Sequence, residues 1–334
     1  MDIILIGFGT VGKGLAQILR DKADDLRTQQ GFEARIVGVA TNSHGTLYRA
    51  DGLDLDTLLK GIDSYPTQSG LKRDWDAARL VRESKADVMV EASPTNLQSG
   101  QPALDLCRAA FASGRHVVLA NKGPVAVAYD ELQSLAKSAG KLLLFEATVM
   151  AGTPSIRLGM QALAGCKISK VRGILNGTTN YMLTKMGEGA SYAEVLAEAQ
   201  ALGYAEADPT ADVDGWDAAG KGIILAAALF GKKLTLAQMF VQGIRDITME
   251  DMAAAKAAGE RIKLIVEISP EGGSVVPERI SINHPLAGVS GGSNAITYVT
   301  DLMGEVTLIG AGAGGVQTGF GILSDLLEIA QFLG

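Results

Sequence analysis

The chain has 334 residues, enough for two domains that each bury a core. Apolar residues make up 47% and charged residues 20%, which reads as a soluble globular protein rather than a disordered or membrane-embedded one. A net charge of -7 argues against nucleic acid and anionic membrane as main partners, yet a local dipole can still hold an anionic cofactor. Two cysteines, Cys107 and Cys166, and three histidines, His44, His116 and His284, show no metal-ligand spacing. A reduced, cytoplasmic setting is expected, since neither a basic leader nor a bilayer-length apolar run is seen.

Ile3–Ile6 reads as a strand, Gly7-Phe8-Gly9-Thr10-Val11-Gly12 as a glycine turn, and Leu15, Ile18 and Leu19 as one face of a helix. G-x-G-x-x-G at a strand-to-helix joint lets a pyrophosphate approach the backbone and the helix N-terminus. The plain alternative is a tight turn in an α/β protein. The next strand, Ala34–Ala40, runs into Thr41-Asn42-Ser43-His44 without the acid that usually binds a ribose 2′-hydroxyl. Asn42, Ser43 and Arg49 suit a 2′-hydroxyl or a 2′-phosphate, so the expected cofactor is NADP or NAD.

Strand and helix then alternate. Asp87–Glu91 is a strand ending near Ser93, Pro102–Ser113 a helix, and His116–Ala120 a strand ending in Asn121-Lys122. Tyr129–Ala139 is a helix and Leu142–Glu146 a strand. This pattern predicts an α/β fold with a doubly wound, Rossmann-type parallel sheet, with ligands at the carboxyl ends of its strands. Ser93, Lys122 and Glu146 fall at such ends. Lys122 is a candidate contact to substrate or cofactor, or a plain loop lysine in solvent.

From Ala147 the pattern changes. A loop of small residues leads into a helix through Leu163, Lys170–Leu175 is a strand, and Asn176, Gly177 and Thr178 turn it into a helix. Those three residues cap a helix and also offer donors to a ligand. Strands of a mixed sheet are expected at Ile262–Ile268 and Val275–Ile282, in a second, α+β domain, with Asn294–Thr300 and Glu305–Ile309 as further strand candidates. The expected division is 1–147 completed by 305–334, with 148–304 between. The glycine loop Gly310–Gly315 is expected to bring a C-terminal helix back onto the first domain.

The most telling stretch is GYAEADPTADVDGWDAAGK, Gly203–Lys221. Asp217 and Lys221 are four apart, on one helix face, and the apolar run IILAAALF follows. A surface ion pair is the ordinary reading of that spacing. A lysine at the mouth of a buried helix is costly unless it is paired or used.

GFGTVGKG, the Asn121–Lys122 pair, EATVMAGTP, GILNGTTNYM, the Gly203–Lys221 stretch and GAGAGGVQT, in this order, resemble the homoserine dehydrogenase family over nearly the whole chain. The resemblance implies NAD(P)-dependent interconversion of L-homoserine and L-aspartate 4-semialdehyde, toward threonine and methionine. It implies Lys221 as general acid/base, Lys122 beside substrate and nicotinamide, and Glu206 and Asp217 as substrate ligands. It implies backbone contacts to the cofactor from Gly203 and Gly314. It further implies a monovalent cation, usually sodium, on Glu146 and the carbonyls of Val149, Ala151 and Thr153, and a homodimer formed through the second sheet. Gln317, Gly319 and Gly321 depart from the family pattern, so a less rigid helix start is expected there. The chain leaves no room for the regulatory domain of longer members, so feedback control by that route is not expected. A sibling dehydrogenase and a non-catalytic dinucleotide sensor remain the alternatives; a sensor has no use for Lys122, Asp217 and Lys221 together.

Overall fold

The computed structural model describes residues 1–333 and divides into two compact units, Met1–Gly152 with Gly314–Gly334, and Thr153–Ala313. Residues 148–152 therefore belong to the first unit and 305–313 to the second, a correction to the division expected from sequence. The reason lies in the last strand, which is paired within the second sheet.

The first unit holds a six-stranded sheet of β1 (Asp2–Ile6), β2 (Arg35–Thr41), β3 (Gly45–Tyr48), β4 (Val88–Glu91), β5 (His116–Leu119) and β6 (Leu143–Leu144). Their order is β3-β2-β1-β4-β5-β6, with every neighbour parallel except the β2–β3 hairpin at one edge. Ile3, Leu5, Val88, Val90 and Val118 are fully buried, as expected of parallel strands covered on both faces. β6 is shorter than the expected Leu142–Glu146, because Glu146 opens a tight 3-10 turn, Glu146–Thr148. β3 and the helices Ala23–Gln30, Leu55–Lys60 and Ala77–Glu83 were not anticipated.

The helix Gly315–Leu333 completes this unit. Its Ile322, Leu323, Leu326 and Ile329 share one buried cluster with Ile3, Leu5 and Leu15. Gly14 and Gly319 carry the closest approach between this helix and Thr10–Asp21. A Cβ on Gly14 would stand 2.1 Å from the Gly315 carbonyl oxygen, and one on Gly319 2.6 Å from the Leu15 nitrogen. Gly321 lies likewise against the Ala151 carbonyl oxygen, at 2.6 Å. Two of the departures from the family pattern are thus packing residues. The looser start expected there is not seen: the Thr318 N–H donates to the Gly314 carbonyl at 2.8 Å, closing the first turn.

The second unit holds a mixed six-stranded sheet of β7 (Ile168–Ile174), β8 (Phe240–Val241), β9 (Glu260–Ser269), β10 (Gly272–Ser281), β11 (Ser293–Thr300) and β12 (Gly304–Ala311). The order is β12-β11-β7-β9-β10-β8, antiparallel except for β8 beside β10. The helix Trp216–Phe230 lays Gly222 on Val266 and Ile268 of β9. Alternation along β9 then turns Lys263 and Ile265 to the other face. There Ile174, Ile265, Leu286, Val289 and Ala295 form a core. The expected helix through Leu163 is a short turn, Ser155–Arg157, widened into a π-type turn over Leu158–Ala162. Among the described residues no helix is long and apolar enough to cross a membrane.

Candidate active site

In the first unit the glycine turn follows β1. Gly7 has φ +93, a conformation open to glycine, and a Cβ there would meet the Ala92 carbonyl oxygen at 2.5 Å. Gly9 is the N-cap of the helix Thr10–Asp21, with no side chain capping it and no acid in the first turn. A Cβ on Gly9 would meet nothing within 4 Å. Phe8 and Gly12 are buried, while Gly9 and Thr10 are exposed and Val11 is half-buried. Uncapped N–H groups facing open space form a cradle that suits a pyrophosphate.

The carboxyl ends of β1, β4 and β5 converge. Asn121 Nδ2 donates to Ser93 Oγ at 3.3 Å and to Glu91 Oε1 at 3.3 Å. Its Oδ1 accepts from the Gly123 N–H at 2.9 Å, which makes Asn121 the N-cap of the helix Lys122–Ala139. Lys122 is therefore the first helical residue and not a loop residue. A cation there works against the helix dipole, so it sits where helix stability alone would not put it.

Glu91 is a residue that sequence reasoning passed over. It is fully buried, accepts from the Ser93 N–H at 2.8 Å, and also binds the Ser93 hydroxyl. Burial pushes its carboxyl above the usual range, against the lowering effect of Ser93 and Asn121. An acid closing an apolar strand was the available signal.

Glu146 is buried, and its N–H donates to Asp325 Oδ2 at 3.0 Å. The adjoining loop places Met150 at φ 57 and Ala151 at φ 53, two successive non-glycine residues in the left-handed region, with Val149 fully buried before them. Such a pair costs free energy and marks a backbone held for a purpose. Gly314 also needs its positive φ, +124, and Gln317 folds over it.

In the second unit the cluster is built on two helix starts. Asn176, two residues past β7, caps the helix Gly177–Glu188, its Oδ1 accepting from the Thr179 N–H at 2.9 Å. Its Nδ2 donates to Asp217 Oδ2 at 3.0 Å and to Asp212 Oδ1 at 2.7 Å. Lys221 is 7% exposed, and its Nζ donates to Asp217 Oδ2 at 2.7 Å and to the Leu175 carbonyl at 2.6 Å. The Asp–Lys pair is thus no surface pair. Removing one partner of a pair this buried costs about 3–5 kcal/mol, against a few tenths for an exposed one. Burial raises the pKa of Asp212, and nearby Asp217 adds to that shift.

Thr178 Oγ1 donates to the Tyr204 carbonyl at 2.7 Å, tying the Gly203–Glu206 segment to this helix start. Gly203 has φ +76, and Gly177 lies against the Gly292 carbonyl. The fold brings Asn176, Asp217 and Lys221 together, with Thr178 beside them. It does not bring the Glu206 carboxylate into that set: Glu206 is exposed and its carboxylate has no protein partner among the described residues. Asp212, Tyr204 and Leu175 join the cluster without having been singled out. Thr153, in the second unit, donates through Oγ1 to the Ala311 carbonyl at 3.0 Å. Among the described residues no three His, Cys, Asp or Glu side chains group as a metal site.

Comparison with known proteins bears on this geometry. A family model described as homoserine dehydrogenase matches residues 154–327, and one described as homoserine dehydrogenase, NAD binding domain, matches residues 7–146. An NAD(+)-dependent homoserine dehydrogenase of Pseudomonas canavaninivorans is 40% identical over 98% of this chain and 96% of its own. A homoserine dehydrogenase of Methanocaldococcus jannaschii is 42% identical over 98% of each. A hyperthermophilic archaeal homoserine dehydrogenase solved in complex with NADPH superposes with a TM-score of 0.85, at 32% identity, over 99% of this chain and 98% of its own. The chain belongs to the homoserine dehydrogenase family.

Proposed function

We propose that this enzyme interconverts L-homoserine and L-aspartate 4-semialdehyde with NAD or NADP, and that Lys221 is its general acid/base. The buried Lys221–Asp217–Asn176 cluster carries this reading. A nicotinamide, when bound, accepts the hydride released from the carbinol carbon. The open, uncapped cradle at Gly9 suits its pyrophosphate, with Gly7, Phe8, Gly9, Thr10, Val11, Gly12 and Ser93 lining that side. Gly203 and Gly314 are assigned as further backbone contacts. β2 ends at Thr41 without an acid of its own, and both cofactors are taken as substrates of the site.

The Leu175 carbonyl and Asp217 take two of the directions around Lys221 Nζ, which leaves the remaining one for exchanging a proton with the substrate hydroxyl. In oxidation that proton moves to Nζ as the C–O bond becomes a carbonyl; in reduction Nζ returns it. Asn176 braces Asp217, and the uncovered carboxylate of Glu206 is assigned to the substrate α-ammonium group. Asn176, Gly177 and Thr178 line the same side, and Lys122 supplies a second positive charge on the cofactor unit. The oxygen donors of the Glu146, Val149, Ala151 and Thr153 stretch suit a hard monovalent cation such as sodium. Assembly as a homodimer and a place in threonine and methionine biosynthesis complete the proposal.

The test is reduced-nicotinamide absorbance with L-homoserine, run with NAD and NADP separately, on wild type and Lys221→Ala. The variant is expected to lose about 10²–10⁴-fold in turnover while still binding cofactor. No turnover by folded, cofactor-binding wild type overturns the reading.

A further inference from the structure

Lys263 on β9 is 2% exposed, yet its ammonium has no acidic partner among the described residues. Its Nζ donates to Asn180 Oδ1 at 2.9 Å and to the Val289 carbonyl at 2.6 Å, both neutral. Glu278, directly opposite on β10, is engaged by Arg172. Burial, and to a smaller degree Arg261, push the Lys263 ammonium down to about 8. A buried cation with only neutral partners is costly, and a methionine would fill the same space at less cost. The ammonium has to be explained by what it holds.

It holds a loop. Asn180 Nδ2 donates to the carbonyls of Val289 at 3.3 Å, Gly291 at 3.0 Å and Ser293 at 3.0 Å. Lys263 orients that amide through its oxygen and adds a bond to Val289. Residues 289–293 thus hang on two side chains. Gly292, inside that loop, lies under the Tyr204 ring, where a Cβ would come within 2.8 Å of Cε1. The same ring stacks on Tyr181, with centroids 4.8 Å apart. Gly177 rests on the Gly292 carbonyl, where a Cβ would stand at 2.7 Å. The loop is therefore a floor under Tyr204, which is two residues from Glu206, and under Gly177, which follows Asn176.

We propose that Lys263 is a positioning residue for the substrate: through Asn180 it fixes loop 289–293 as the platform for Tyr204 and Gly177, and so sets the Gly203–Glu206 segment. The substrate side of this inference rests on the assignment of Glu206 made above. Lys263 itself touches no reacting atom.

Two variants test it. Lys263→Met removes the ammonium, and Gly292→Ala pushes on the Tyr204 ring from the loop without touching the core. Each is expected to raise KM for L-homoserine about tenfold, with kcat within about threefold of wild type and a smaller rise in cofactor KM transmitted through Gly203. Lys263→Gln, which keeps donors toward Asn180 and Val289, is expected to recover most of the loss. Amide hydrogen exchange on the substrate-free protein supplies a readout independent of turnover. Residues 203–206 and 289–293 should exchange faster in Lys263→Met, with β9 and β10 unchanged. Unchanged exchange at 203–206, or a fall in kcat with KM for L-homoserine unchanged, overturns the proposal. If wild type does not turn over L-homoserine, the functional assignment falls, while the exchange result still decides whether Lys263 governs that segment.

Discussion

His116 shows how a single buried group writes itself into pH dependence. It is 1% exposed, its Nδ1 accepts from the Leu142 N–H at 3.1 Å, and burial, assisted by Lys141, pulls its pKa down to about 4. The unfolded chain binds this proton near pH 6.5 and the folded chain does not until about pH 4. Stability therefore falls as pH drops through that window, by up to about 3 kcal/mol from this group. Denaturant titrations of wild type and His116→Asn should differ in slope between these limits and run parallel above pH 7. Parallel curves throughout would show that His116 takes up its proton alike in the folded and unfolded chain. At this scale much was legible in the sequence. Asp217 and Lys221 were readable because helical spacing puts them on one face. Lys263 was not, because a charged residue inside an apolar strand gives no sign of which long-range partners will bury it, and Glu91 carried a signal only in closing its strand.

At the scale of elements, glycines divide into those that admit another helix and those that leave room for a ligand. Gly14 and Gly9 make a contrasting pair on one helix. Gly14→Ala drives a methyl into the Gly315 carbonyl, so it should cost about 1–3 kcal/mol by differential scanning calorimetry. Gly9→Ala meets no protein atom and should leave the melting temperature within a degree or two, since exposed changes of this kind cost about 0.5 kcal/mol or less. Its effect should appear as weaker NAD(P)H binding by fluorescence titration, because the methyl enters the space assigned to the pyrophosphate. A destabilised Gly9→Ala with unchanged affinity would contradict the cradle. The sequence revealed the strand–glycine–helix joint through local chemistry. It hid β3 and the shortened β6, whose lengths depend on pairing with distant strands rather than on their own residues.

For the whole molecule, the decisive feature is connectivity. The first unit takes in residues on both sides of the second, and its core includes Ile322, Leu323, Leu326 and Ile329 from the last helix. A chain ended at Ala313 should fail to bind NAD(P)H at all, although every residue of the glycine turn is present. Retained binding would mean that the sheet β1–β6 folds without that helix. The return of the last helix was legible from the glycine loop before it. The strand at 304–311 was assigned to the wrong unit, because only its pairing with β11 decides where it belongs.

The same connectivity sets an order of events during synthesis. Domains made on the ribosome ordinarily fold from the N-terminus onward. Here the first 152 residues emerge without the helix that covers Leu15 and Ile3, while Thr153–Ala313 can close its own sheet as soon as it is released. The nascent chain thus carries an open apolar face until the helix Gly315–Leu333 has emerged. That interval is where chaperone demand and aggregation should concentrate, and where a slowed or stalled ribosome would do most harm.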